Sequence, residues 1–380
     1  MSNILYFDNA ATTKPLISAI EKASIYNTEK FYNASALYHN GLEISKELAN
    51  SRQVISHSIS DDFDVIFTSC GTESDNTAIF SYCKRGNAVT TLGEHSAVHN
   101  AFTTLKNNGY DARFATLNND GSVNINSLLS LIDKNTVFVS VVHVNNETGA
   151  VNDINKIAKL VKSINSRIVF HSDGVQAFMK IPYKLCDEID LYSVSAHKIN
   201  ALKGVGALFK NKKIRNLKPY LIGGGQEGGL RSGTENVFGI KVFEYATKTH
   251  LETLKTDYNK ALELKKEFLY GLNLNRFTII SSETSSPYVI CLSANGLKGE
   301  VLQHMLENDG VIIGTGSACS SKSPHSRMLK SIGYESSVLD GVIRISFSFE
   351  TTINEVKTLT SLLNEKVEIL LKTMNLWKKL

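Results

Sequence analysis

The sequence predicts an α/β protein: a large, mostly parallel sheet covered by helices on both faces, then a smaller α/β unit. Three observations predict this. From about Asp64 to Phe209, short β-branched apolar runs alternate with helix-like segments. A long, charged helical stretch follows, from about Ile240 to Leu274, and beyond it a second, shorter set of strand-like and helix-like segments runs towards the C-terminus. Such alternation favours parallel strands buried on both sides.

The elements follow in order. Val65–Thr68, Ala88–Thr91, Val137–Val142, Ile168–Phe170 and Leu191–Val194 read as strands. Between the third and fourth, Ile154, Ile157, Ala158, Val161 and Ile164 share one face of a helix. After the long helical stretch, Tyr288–Leu292 reads as a strand, the region near Gly299–Asn308 as a helix, Val342–Ser346 as a strand and the chain from about Ile353 as a final helix. In open sheets of this kind, ligands bind beyond the carboxyl ends of the strands.

Composition narrows the classes. The chain has 380 residues, 42% of them apolar and 21% charged, with a formal net charge of +4. So small an excess over this length does not favour nucleic acid or an acidic membrane surface as partner. No apolar run reaches the ~18 residues of a membrane span, and the first residues lack the basic and apolar regions of a signal peptide. The five cysteines stand at 70, 83, 186, 291 and 319 without a C-x-x-C pair. An odd count without that spacing fits reduced thiols in a cytoplasm.

Two strand ends carry chemistry. Ser195-Ala196-His197-Lys198 follows one apolar strand, and Asp173 ends another 25 residues earlier. Alone, the lysine reads equally as a surface residue and the aspartate as a helix cap. Together they fit pyridoxal 5′-phosphate (PLP), whose aldehyde needs a lysine amine and whose pyridine nitrogen needs a carboxylate. A phosphate needs N–H and hydroxyl donors at a helix start, and Thr68-Ser69-Cys70-Gly71-Thr72-Glu73 offers them after a strand. Glu94, His95 and His99 have a zinc-helix spacing, but no third ligand cluster accompanies them, and no metal is expected. His143 and His171 read as satisfied strand-end histidines.

At this point the chain resembles the group I, NifS/IscS-like cysteine desulfurases, class V aminotransferases of PLP fold type I. The stretches that carry the likeness run nearly end to end. They are Asp8–Thr13, Phe67–Asn76, Glu94–Val98, His143–Gly149, Ser195–Lys198, Arg231–Thr234, Gly314–Ser321 and Ile343–Ser346. The likeness implies a seven-stranded sheet in a large domain over 13–250, and a small domain of 1–12 and 251–380 that carries a catalytic cysteine loop. It implies that Lys198 holds the cofactor, Asp173 pairs with the pyridine nitrogen and Gln176 reaches the ring hydroxyl. His95 stacks on the ring and moves protons. Gly71, Thr72, Ser195 and His197 take the phosphate, joined by Thr234 from the partner of a homodimer. Asn146 and Arg344 take the carboxylate of L-cysteine. The sequence departs from the family pattern at Asn33-Ala34-Ser35, at Tyr38 and at Asn200-Ala201-Leu202.

Cys319 is the expected sulfur carrier. Its neighbours, Gly314 to Pro324, are small and polar, which predicts an exposed loop. Cys83, Cys186 and Cys291 read as small buried hydrophobes, and Cys70 as part of the phosphate turn. The sulfur would pass to an acceptor protein, an iron–sulfur scaffold or a tRNA-thiolation carrier. Selenocysteine lyase, another class V reaction and a non-catalytic docking paralogue are the alternatives.

Overall fold

The computed structural model describes residues 4–315 and 325–377, and Cys319 lies outside them. Among the described residues, twelve strands form two sheets. They are β1 Leu5–Phe7, β2 Phe63–Thr68, β3 Asn87–Thr91, β4 Asp111–Ala115, β5 Thr136–Ser140, β6 Val169–Asp173, β7 Leu191–Ser195, β8 Gly206–Asn211, β9 Phe277–Ile279, β10 Val289–Ala294, β11 Val311–Thr315 and β12 Val342–Ser346.

The large sheet has seven strands in the order β2-β8-β7-β6-β5-β3-β4. Its neighbours run parallel except β8, which is antiparallel to both β2 and β7. Successive residues go to opposite faces, and both faces are apolar. Phe67, Val139, Phe170, Tyr192 and Phe209 join one core. Their predecessors Ile66, Phe138, Val169, Leu191 and Leu208 join another. The helix Ile154–Ile164 packs on the first face through Ile154, Ile157, Ala158 and Val161. The helices Gly71–Tyr82 and Ser96–Asn107 cover the second through Ala78, Ile79, Val98 and Phe102. The continuous apolar runs of the sequence thus correspond to strands without a wet side.

The second sheet has the order β1-β11-β12-β10-β9. Only β1 and β11 run parallel; the remaining pairs are antiparallel. It packs with the helix Ile353–Trp377 around Phe7, Ile290, Leu292, Ile343, Ile345, Leu359 and Leu363. One helix, Val237–Gly271, serves both cores: Phe243 and Ala246 enter the first, Leu264 and Phe268 the second. Among the described residues no helix is long and apolar enough to cross a membrane.

Candidate active site

The site forms where β6 and β7, paired at Asp173↔Ser193, end together. Asp173 is buried, and its Oδ1 accepts the backbone N–H of Val175 at 2.9 Å. Burial raises its pKa, against the pull of His95 and Lys198. The next residue must be glycine, because a Cβ on Gly174 would stand 1.8 Å from the Tyr192 ring. After β7 the chain makes one tight turn, Ala196–Lys198, which swings the lysine back over the strand ends. Its ε-amine donates to the carbonyls of Ala10 and Ala11 at 2.6 and 2.7 Å.

The helix Gly71–Tyr82 starts against the same space. Its N-cap, Cys70, is extended and supplies no side-chain cap, so the first backbone N–H groups keep their donor capacity. Gly71 lies so close to the strand ends that a Cβ there would meet Val175 Cγ2 at 2.7 Å. The Ser195 hydroxyl is buried without a hydrogen-bond partner. A buried, unpaired hydroxyl is costly, and here it faces a donor-rich cavity. His197 Nδ1 lies 3.1 Å from Thr12 Oγ1. Burial and the nearby lysines lower its pKa to about 4, so its ring is neutral near pH 7.

These residues line one cavity of about 280 Å³, together with Thr72, His95, Asn146, Gln176 and Arg344. His95 caps the helix Ser96–Asn107, its Nδ1 accepting the Ala97 N–H at 3.2 Å. Burial lowers its pKa, opposed by Asp173. Gln176 donates through Nε2 to the Ala10 carbonyl at 2.8 Å. Arg344 projects from β12, bridging to Asp8 through Nη2 at 2.8 Å and donating through Nη1 to the Asn146 carbonyl at 2.9 Å; its Nε has no partner. An anion arriving at Arg344 must therefore exchange with Asp8.

Thr234 does not line this cavity. It is exposed, beside a separate groove with Glu227 and Arg231. The zinc-like spacing does not assemble a site. Glu94 turns to the Thr91 hydroxyl and the Val142 N–H, and His99 packs on the Phe114 ring. Among the described residues no cluster of His, Cys, Asp and Glu suits a metal. His143 and His171 are buried and partnered by Tyr192, and by Ser140 and Ser193, respectively. Cys83 and Cys291 are buried, but Cys186 is half-buried, because it lies beside Asn155 near the surface.

Sequence reasoning missed four contributors. Asp75 lines the cavity one helical turn after Thr72, and that i, i+3 spacing was its only signal. Ala10 and Ala11 contribute carbonyls, which no side-chain pattern announces. Lys180 is buried behind Gln176.

The family model described as "Aminotransferase class-V" matches residues 5–359. The chain belongs to this family. Among class-V proteins it is 33% identical over 376 residues to a cysteine desulfurase of Nostoc sp., which covers 96% of this chain and 93% of the relative. A solved NifS-like protein superposes with a TM-score of 0.88 at 29% identity, covering 98% of this chain and all of that one. A second solved structure, SspA in complex with cysteine, matches with a TM-score of 0.76 at 26% identity over 90% of this chain and 98% of that chain. This class-V chain is thus NifS/IscS-like in sequence and has the fold type I architecture.

Proposed function

We propose that this class-V chain is a PLP-dependent cysteine desulfurase, converting L-cysteine to L-alanine and delivering the sulfur as a persulfide on Cys319. One observation carries the reading: the Lys198 amine, the buried Asp173 carboxylate and an uncapped helix start converge on a single cavity. The residues fit the cofactor. The unpaired Ser195 hydroxyl, Thr72 and the first N–H groups of the helix suit a phosphate. The absence of a side chain at Gly71 allows the close approach.

When bound, PLP supplies an aldehyde for amines and a ring that absorbs carbanion electrons. Lys198 would hold it, then take the α-proton of the substrate and return it. Asp173 would pair with the ring nitrogen and favour a proton there. His95, whose pKa burial lowers, would lie against the ring and could pass protons. Arg344 exchanges Asp8 for the substrate carboxylate, which it pairs in bidentate fashion beside Asn146. The Cys319 thiolate then attacks the substrate sulfur. A sulfur–sulfur bond forms and the carbon–sulfur bond breaks. The electron pair goes to the β-carbon, which takes up a proton, leaving L-alanine. An acceptor protein, an iron–sulfur scaffold or a tRNA-thiolation carrier, then takes the sulfur.

The protein works in this reading as a cytoplasmic homodimer. The exposed position of Thr234, away from its own cavity, supports delivery of that hydroxyl to the partner's phosphate. The test is turnover of purified, cofactor-loaded protein with L-cysteine and a reductant. Sulfide and alanine are expected in equal amounts, and Cys319→Ala is expected to abolish sulfide while keeping the cofactor absorbance. Robust sulfide from that variant overturns the role of Cys319.

A further inference from the structure

Behind the cavity lies a buried amine that the reaction above does not use. Lys180 is 7% exposed, and its Nζ donates to Gln176 Oε1 at 2.9 Å. Among the described residues it has no ion pair, which is unusual for a buried lysine. The backbone just before it is forced: Met179, itself buried, holds a left-handed φ of 52°. A long side chain rarely adopts that conformation unless its surroundings fix it. Lys180 also borders a second, much smaller cavity of about 20 Å³, shared with Lys198, His250 and Asp257.

Gln176 therefore stands between a donor and an acceptor. Lys180 donates an N–H to its Oε1, and the Ala10 carbonyl offers it only lone pairs. An amide can satisfy both in one orientation alone, with Oε1 towards Lys180 and the –NH₂ towards Ala10 and the cavity. The same Ala10 carbonyl also accepts Lys198 Nζ at 2.6 Å, so a chain of hydrogen bonds joins the two lysines through Gln176.

We propose that Lys180 is a positioning residue that locks the Gln176 amide with its N–H edge towards the ligand cavity, so that the oxygen it meets there is held as an acceptor. The inference deepens the PLP reading and rests on it. The oxygen in question is the cofactor's ring oxygen, which an N–H donor keeps in its deprotonated form. A flipped amide would present its carbonyl and favour the protonated form instead. Burial and the charges of Lys198 and Arg344 bring the Lys180 amine to a pKa of about 7. Protonated or neutral, it retains hydrogens for Gln176, so the lock holds on both sides of neutrality.

The experiment loads wild type, Lys180→Met and Lys180→Arg with pyridoxal 5′-phosphate and records absorbance and visible circular dichroism across pH. The two forms of the ring oxygen absorb in the visible and the near-ultraviolet, respectively. Lys180→Met is expected to move most of the visible band to the near-ultraviolet, with Lys180→Arg retaining the wild-type ratio. Should the methionine variant not fold, Lys180→Leu, which likewise has no N–H to donate, is read in its place, with the same shift expected. A folded, loaded variant lacking the amine but showing the wild-type band ratio overturns the assignment alone. A wild-type protein that takes up no cofactor overturns the functional reading with it.

Discussion

At the scale of single residues, the site is a set of groups whose burial is tolerable only because something else shares their space. Asp173 is a buried carboxylate at a strand end, and its value in the proposed chemistry is electrostatic. Asp173→Asn is expected to keep the fold and lower kcat by roughly 10²–10³-fold, the usual cost of losing one preorganised electrostatic partner. Steady-state kinetics beside an unchanged melting curve checks this. Lys198→Ala is expected to remove the absorbance of the lysine-bound cofactor altogether, read on the purified protein. Lys198, Asp173 and Thr72 were legible in the sequence, because chemistry and strand-end position pointed the same way; His95 was named through the family likeness alone. Asp75 and Lys180 were not. A polar residue on a helix or after a turn looks solvated until the packing partners are known, and here those partners, His171 and Gln176, come from distant or unremarkable positions.

At the scale of elements, legibility followed burial. The helix Ile154–Ile164 was read with both ends in place, because its apolar face is unbroken and Asp153 stops it. The Asp153 carboxylate accepts the Lys156 N–H at 3.0 Å, a side-chain cap worth about 1 kcal/mol. Asp153→Ala should lower the urea midpoint accordingly with an unchanged slope. Five of the seven strands of the large sheet, all but β4 and β8, were visible as apolar runs, but strand direction was not. An antiparallel β8 buried on both faces carries the same pattern as a parallel one. β4 was missed because Asp111 and Arg113 break its pattern; the arginine pairs with Asp111 and Asp133 at the sheet edge. The start of the helix Gly71–Tyr82 yields a sharper expectation. Gly71→Ala would place a methyl 2.7 Å from Val175. Cofactor affinity should fall at least tenfold, about 1.4 kcal/mol, measured by equilibrium titration of the cofactor-free protein.

At the scale of the whole molecule, buried ionisable groups of opposite kinds set the pH range of stability. His143 and His171 are held neutral by burial, with pKa values near 3. Their contribution is complete above the unfolded value of ~6.5 and is lost as pH falls towards 3. Glu94 is held protonated by burial, its pKa pushed up to about 8. Its contribution is complete below the unfolded value of ~4.5 and is lost as pH rises through 8, at up to about 1.4 kcal/mol per pH unit. Glu94→Gln, which keeps the shape and cannot ionise, should flatten the alkaline limb between pH 6.5 and 8; denaturant melts across that range check it. The two-sheet plan was legible from the strand–helix alternation, whereas the placing of residues 1–12 with the small domain came from the family likeness alone, because three residues of strand carry no periodicity. That return has a temporal meaning. Asn9 donates to the Ser346 carbonyl, Ala10 to the Ser346 hydroxyl, and Asp8 meets Arg344, links spanning 336 or 337 positions. Contacts of such sequence separation form late, and a nascent chain emerges from the ribosome N-terminus first. Residues 8–10 must therefore wait, unclaimed, while more than 300 further residues are synthesised before their partners at 344–346 exist, and a translation product stalled before β12 carries Lys198 and Asp173 without the arginine that would receive a substrate.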